Sequence, residues 1–458
     1  MKNDNSIKFG KDFVWGVATA AFQIEGAYNS DGKGLSVWDV FSHREGKIKD
    51  STDADVACDS YNRVEEDVKL LADLGVNAYR FSVAWSRVLP DGVGKINEKG
   101  VGYYNKLINL LRENNITPYL TLYHWDLPQS LHEKGGFLNP EFPKWFEYYA
   151  SVIVEKFGDR VRHFFTFNEP QCIFGLGYNL GIHAPGLRVS LKEQLQAVHN
   201  MLLAHGLAVK QIRKIKDSRV TYASCGGVPM PETDNPVDYR TARDVFFDFD
   251  EKNPVGSVVL YSDPIFTGKY PEKYYRVYKD IMPNISAEDM EIISQPVDFF
   301  AQNTYEGVYI KAKRDAKGTP IGGHDFVPFK KGSQMTPMGW HVVPECLQYV
   351  IRYLYDRYQK EVYITENGTS CWDFVYSDGK VHDRCRCEFL TTYLKEMEKA
   401  MSKGAVVGGY FHWSLMDNFE WAEGYSQRFG LVYVDFETLK RIPKDSFYHY
   451  KDIIKNSK

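Results

Sequence analysis

Residues 163–170 read HFFTFNEP, a short aromatic and β-branched run that ends in an amide and a carboxylate. Such a run suits a strand buried on both faces, with polarity returning where the strand meets its loop. The pattern recurs at 362–368, VYITENG, where Glu366 follows an apolar stretch as Glu169 does in the first. Working outward from 163–167 and 361–365, similar runs lie at 14–19, 78–84, 117–123, 219–224, 298–302 and 406–413. Between them apolar residues fall at helical spacing, as in Val64, Val68, Leu71 and Leu74, or Tyr104, Leu107, Ile108 and Leu111. Leu347, Val350, Ile351 and Leu354 repeat the pattern, and further helices are predicted over 141–157, 191–216 and 386–402 and after Pro443. Eight strands, most followed by a helix, predict an α/β chain: a single-domain (β/α)8 TIM barrel with elaborated βα loops over residues 1–458. The wide spacing between the fifth, sixth and seventh runs predicts long loops or extra elements there. An open doubly wound sheet is disfavoured, because no G-x-G-x-x-G follows the first run.

Composition narrows the function. A chain of 458 residues suggests about three domains by length, a figure that barrels routinely exceed as one unit. Hydrophobic residues make up 43% and charged residues 25%, which excludes a disordered chain. Fifty-six basic against sixty acidic residues give a net charge of −4, which argues against a nucleic-acid partner. Aromatic content is 15%, most of it expected in the core and the rest available to a flat ligand. Seven scattered cysteines, an odd number, argue against a disulfide framework and for a reducing compartment. Cys371, Cys385 and Cys387 do not match zinc spacing and read as ordinary thiols. The N-terminus has no apolar leader and no run reaches membrane length, so a cytoplasmic protein with no membrane partner is expected.

In a barrel of this kind the reacting groups gather at the C-terminal ends of the strands. Those ends carry Arg80, His124, Asn168, Glu169, Asn303, Glu366, Asn367 and Trp413. Two carboxylates, 197 positions apart in sequence but aimed into one barrel mouth, suggest an acid and a nucleophile. Glycoside hydrolysis needs such a pair: one group protonates the leaving oxygen while the other attacks or activates water. His124 has no second ligand at metal spacing, so no metal is expected, and no cofactor motif is present.

The matching stretches then run from end to end: FVWGVATAAFQIEGA (13–27), YRFSVAWSRVLP (79–90), YHWDLP (123–128), TFNEP (166–170), GYNLGIHAPG (177–186), TPMGW (336–340), YITENG (363–368) and GYFHWSLMDNFEWAEGYSQRFGLVYVDF (409–436). In these the chain resembles the family 1 glycoside hydrolases, retaining β-glycosidases on a (β/α)8 barrel. The resemblance implies Glu169 as general acid/base and Glu366 as nucleophile, with Arg80 and Tyr305 beside the nucleophile. It implies Gln23, His124, Asn168, Asn303 and Glu420 as partners of the sugar hydroxyls. Trp413 and Trp421 would form a platform under the sugar, and Trp340 would flank the leaving group. Cys172, Phe174 and His183 are expected on that leaving-group side. A proton on Glu169 would be favoured by repulsion from an ionised Glu366.

The chain departs from the common pattern at Ala301–Tyr305, at Thr369–Cys371 and at Cys346, all near the leaving-group wall. A 6-phospho-β-glucosidase of the same family is the nearer alternative. Glu420 argues against it by charge repulsion, and Gln427 and Phe429 stand where phosphate-holding Lys and Tyr would be expected. A non-catalytic sugar-binding barrel is the other alternative; such descendants typically lose one carboxylate, and both are present here. The expected partner is a small β-glucoside or oligosaccharide, and a homo-oligomer is left open.

Overall fold

Strands apolar on both faces can satisfy their backbone only through neighbouring strands, which favours closure into a barrel. The computed structural model describes residues 9–457. Its barrel strands are β1 (Val14–Ala18), β2 (Ala78–Ser82), β3 (Thr117–Tyr123), β4 (His163–Asn168), β5 (Arg219–Ser224), β6 (Phe300–Asn303), β7 (Val362–Asn367) and β8 (Val407–Trp413). Each pairs in parallel with its neighbours in sequence, and β1 closes the ring against β8, with Trp15 opposite Tyr410 and Ala18 opposite Trp413. Helices follow the predicted spacing, among them Val64–Leu74, Glu98–Glu113, Phe142–Phe157 and Glu345–Tyr358. The helix expected over 191–216 ends earlier, at Ile212.

Two irregularities position the chemistry. The β4–β5 ladder shifts register between Phe165 and Asn168, and the β6–β7 ladder shifts between Ile364 and Glu366. Both lie at strand ends that carry a glutamate, where a bulge re-aims the side chains that follow. Glycine is required just beyond: a Cβ on Gly368 would lie 1.9 Å from the Trp413 carbonyl oxygen. The wide spacing after β5 is filled by helices Pro236–Phe246, Val259–Thr267, Glu272–Tyr278 and Ala287–Ile293. A three-stranded sheet joins Val228–Pro231, which follows β5, to Gly307–Arg314 and Pro320–Val327, which follow β6.

No helix among the described residues is long and apolar enough to cross a membrane. The expected lack of a leader rests on the N-terminal segment, of which residues 1–8 lie outside the described part.

Candidate active site

At the C-terminal mouth of the barrel lies a cavity of about 1130 Å³, part of it open solvent, with Glu169 and Glu366 in its wall. Glu366, the fifth residue of β7, is buried. Arg80 Nη1, from the middle of β2, donates to its Oε1 at 2.5 Å, and Tyr305 Oη donates to its Oε2 at 2.8 Å. A guanidinium on one oxygen and a phenol on the other both favour the ionised form. Arg80 Nη2 donates to Asn168 Oδ1 at 2.6 Å, so one cation braces two functional side chains.

Glu169 follows β4 in a left-handed backbone conformation, φ 46°, directly before Pro170 opens a short helix. Its Oε1 accepts from Asn303 Nδ2 at 2.7 Å. Asn303 is itself aimed by Thr365, whose hydroxyl donates to its Oδ1 at 2.7 Å. Burial pushes the carboxyl pKa of both glutamates upward, and for Glu366 the Arg80 charge opposes that push. Close carboxyl groups titrate as a pair, and of the two only Glu366 has a cation and a phenol on its oxygens. The shared charge therefore belongs on Glu366 and the proton on Glu169. The cause differs from the one expected: burial, rather than repulsion from Glu366, is the main force raising Glu169.

Across the cavity is a set of polar groups with spare capacity. Gln23 Nε2 donates to Asn418 Oδ1 at 2.9 Å, to the Phe419 carbonyl at 2.8 Å and to Glu420 Oε2 at 3.3 Å, while its Oε1 has no partner. Burial and the nearby Arg80 charge hold His124 well below the ordinary imidazole range, so its ring is neutral. Asn168 Nδ2 lies 3.0 Å from His124 Nε2 and can only donate, which assigns the ring proton to Nδ1, an atom with no protein partner. Burial, with the Glu366 charge adding, pushes Glu420 up to about 8. A carboxyl group at that value is mostly protonated at pH 7 and can donate as well as accept. It therefore repels a phosphate less than the sequence suggested. The cavity supplies no counter-charge either: among the described residues lining it there is no lysine or arginine.

Aromatic rings complete the wall. Trp413 lies 5.9 Å from the His124 ring, and Trp421 lies 4.5 Å from Trp125 and stacks on Phe22 at 5.9 Å. Trp340 is half-buried at 5.3 Å from Tyr305. The two glutamates, Tyr305 and the residues expected around the sugar either line this cavity or, like Arg80 and Gln23, bond to a side chain that does.

Cys172 and His183 reach the cavity as expected, but Phe174 does not. It is fully buried among Phe137, Tyr178 and Tyr261, because its short helix turns that face into the core. Asn367 is also structural: it donates to the Thr304 carbonyl at 2.6 Å and accepts from Tyr410 Oη at 2.9 Å. Sequence reasoning missed Trp125, whose Nε1 donates to the Asn168 carbonyl at 2.9 Å, although it sits in a stretch already noted, YHWDLP. It also missed Met338, within the stretch TPMGW already noted, and Cys225 and Glu306, which lie in loops with no local signal.

A family model described as glycosyl hydrolase family 1 matches residues 5–458. The chain belongs to that family. Its relatives include beta-glucosidase A of Thermotoga maritima, 43% identical over 455 residues, with 99% of each chain covered. Another is the 1,4-beta-D-glucan glucohydrolase of Thermotoga neapolitana, 42% identical over 452 residues, covering 98% of this chain and 99% of the relative. Among solved family 1 structures, the beta-glucosidase from Thermotoga maritima in complex with glucoimidazole superposes with a TM-score of 0.88. The two are 43% identical, with 98% of this chain and 99% of that one covered.

Proposed function

We infer that this family 1 protein is a retaining β-glucosidase that removes terminal non-reducing β-D-glucosyl residues by double displacement. The observation that carries the reading is the unequal support of two buried carboxyl groups in one cavity: Arg80 and Tyr305 on Glu366, an amide on Glu169. Glu366 attacks the anomeric carbon as the bond to the aglycone oxygen breaks, and Glu169 gives that oxygen its proton. Once Glu366 is esterified its charge is gone. Glu169, now ionised, takes a proton from water, which attacks the same carbon and releases Glu366. Asn168 faces the 2-hydroxyl, where contacts strengthen at the transition state. Gln23 Oε1, His124 Nδ1 and the Glu420 carboxyl accept from and donate to the remaining hydroxyls, and a sugar of the wrong configuration leaves one of them unpaired. Trp413 and Trp421 cover the apolar face of the ring, and Trp340 flanks the aglycone.

Cellobiose, short β-linked oligosaccharides and alkyl or aryl β-glucosides fit this site, consistent with a role in cellulose degradation. One contiguous hydrophobic core supports reading residues 1–458 as a single catalytic domain. The odd cysteine count supports a cytoplasmic setting.

Steady-state kinetics of two variants test the assignment. Glu366→Ala is expected to lose nearly all turnover and to regain part of it with a small added anion that occupies the vacated space. Glu169→Ala is expected to slow cellobiose by roughly 10²–10⁴-fold. Its effect on glycosylation by activated aryl glucosides should be far smaller, because their leaving groups need no proton. Equal losses on both substrates would remove Glu169 from the acid role.

A further inference from the structure

Two thiols stand beside the acid/base, and the hydrolytic reaction uses neither. Cys172 lies in the short helix Pro170–Phe174 that follows Glu169, and Cys225 lies just after β5. Their Sγ atoms are 3.8 Å apart, and both residues line the active-site cavity. One oxygen of Glu169 and the two sulfurs all fall within 4.8 Å of one another. Two thiolates bound to one tetrahedral Zn²⁺ at about 2.3 Å are themselves about 3.8 Å apart, the spacing already present here. The donor set, two soft sulfurs and one carboxylate oxygen, suits a thiophilic cation and not a hard one such as Mg²⁺.

We propose that Cys172, Cys225 and Glu169 form an inhibitory site for a thiophilic divalent cation, Zn²⁺ foremost, with the fourth position open to the cavity. Binding deprotonates both thiols and the Glu169 carboxyl, releases three protons to solvent and forms two Zn–S bonds and one Zn–O bond. Glu169 is then a ligand, with no proton to give the aglycone, and the bound cation lowers the basicity its other oxygen would need to take one from water. The inhibitory consequence rests on the acid/base reading of Glu169; the binding itself does not.

Two measurements on the fully reduced protein separate these claims. Titration with Co²⁺ is expected to produce a thiolate-to-cobalt charge-transfer absorption at one equivalent, displaced by Zn²⁺ and absent from the Cys172→Ala/Cys225→Ala double variant. Titration with Zn²⁺ is expected to inhibit β-glucoside hydrolysis. Loss of even an outer-shell partner costs roughly 10- to 100-fold in metal affinity, so each single Cys→Ala change should raise the inhibition midpoint by at least about 10-fold, relative to that variant's own basal rate. His43→Ala, at the exposed His43, Asp53 and Asp55 group, should leave zinc sensitivity as it was. No charge-transfer band, or a band that survives in the double variant, overturns the site. A normal band without inhibition keeps the site but refutes its effect on Glu169, and inhibition that survives both cysteine changes places zinc elsewhere.

Discussion

Tyr305 shows how much one hydrogen bond decides. Its phenol is one of two donors on Glu366, and its removal leaves Arg80 as the only strong support for the anion. A hydrogen bond to a charged group contributes about 1.5–3 kcal/mol, equivalent to roughly one to two pKa units. Tyr305→Phe should therefore raise the pKa of Glu366 and move the acidic limb of the kcat/KM profile to higher pH by about one unit. An unmoved limb would mean that Arg80 alone sets that ionisation. At this scale the gathering of the two glutamates and the polar residues around them at one cavity was readable in advance, because each ends an apolar run or falls within a motif. The Asn303–Glu169 contact was not, since it joins positions 134 apart, one on β6 and one just after β4, and those two strands do not pair with each other. Cys225 was hidden for a similar reason: nothing in Ser224-Cys225-Gly226-Gly227 indicates that its thiol meets Cys172.

The element that matters most is the exit of β7. Its register shift turns Glu366 inward, and Gly368 then lets the chain pass against the Trp413 carbonyl. In Gly368→Ala the new methyl group would collide with that backbone oxygen, forcing β7 and β8 apart where Glu366 and Trp413 sit. Overpacking of this kind costs about 1–3 kcal/mol. Loss of kcat should exceed loss of folded protein, which activity measured per mole of folded enzyme would reveal. Unchanged kcat would show that the strand ends tolerate the shift. The barrel strands were legible because burial on both faces leaves continuous apolar runs. The small three-stranded sheet was not: its strand Pro320–Val327, between β6 and β7, is mostly exposed and carries paired glycines, so it has neither a buried run nor an alternating pattern.

For the whole molecule, the cavity makes stability depend on pH. Glu420 has an ordinary carboxyl value near 4.5 when unfolded and about 8 in the folded protein, because burial disfavours its charge. Between those values the folded state holds the proton and the unfolded state does not, so this group's contribution to stability falls as pH rises. Buried His205 and His412 act with the opposite sign: burial lowers both from 6.5 to about 3, and they cost stability as pH falls below 6.5. Glu420→Gln removes the first effect and leaves the second. The Tm of the variant should gain on the parent steadily from pH 5 to pH 8, by about 1–3 °C in all. A constant difference across that range would mean that Glu420 is ionised in the fold.

The seam of the barrel also sets a schedule for synthesis. β1 pairs with β8, and Gln23 reaches Glu420 across 397 positions. At roughly 5–20 residues per second, the ribosome needs about 20–80 s to make the intervening chain. Throughout that interval β1 is an apolar strand with one edge waiting for a partner not yet translated, open to pairing with the wrong chain. The sugar-recognition surface is therefore among the last parts of the protein to exist, and its yield in a cell depends on how well the nascent barrel is sheltered until its final strand arrives.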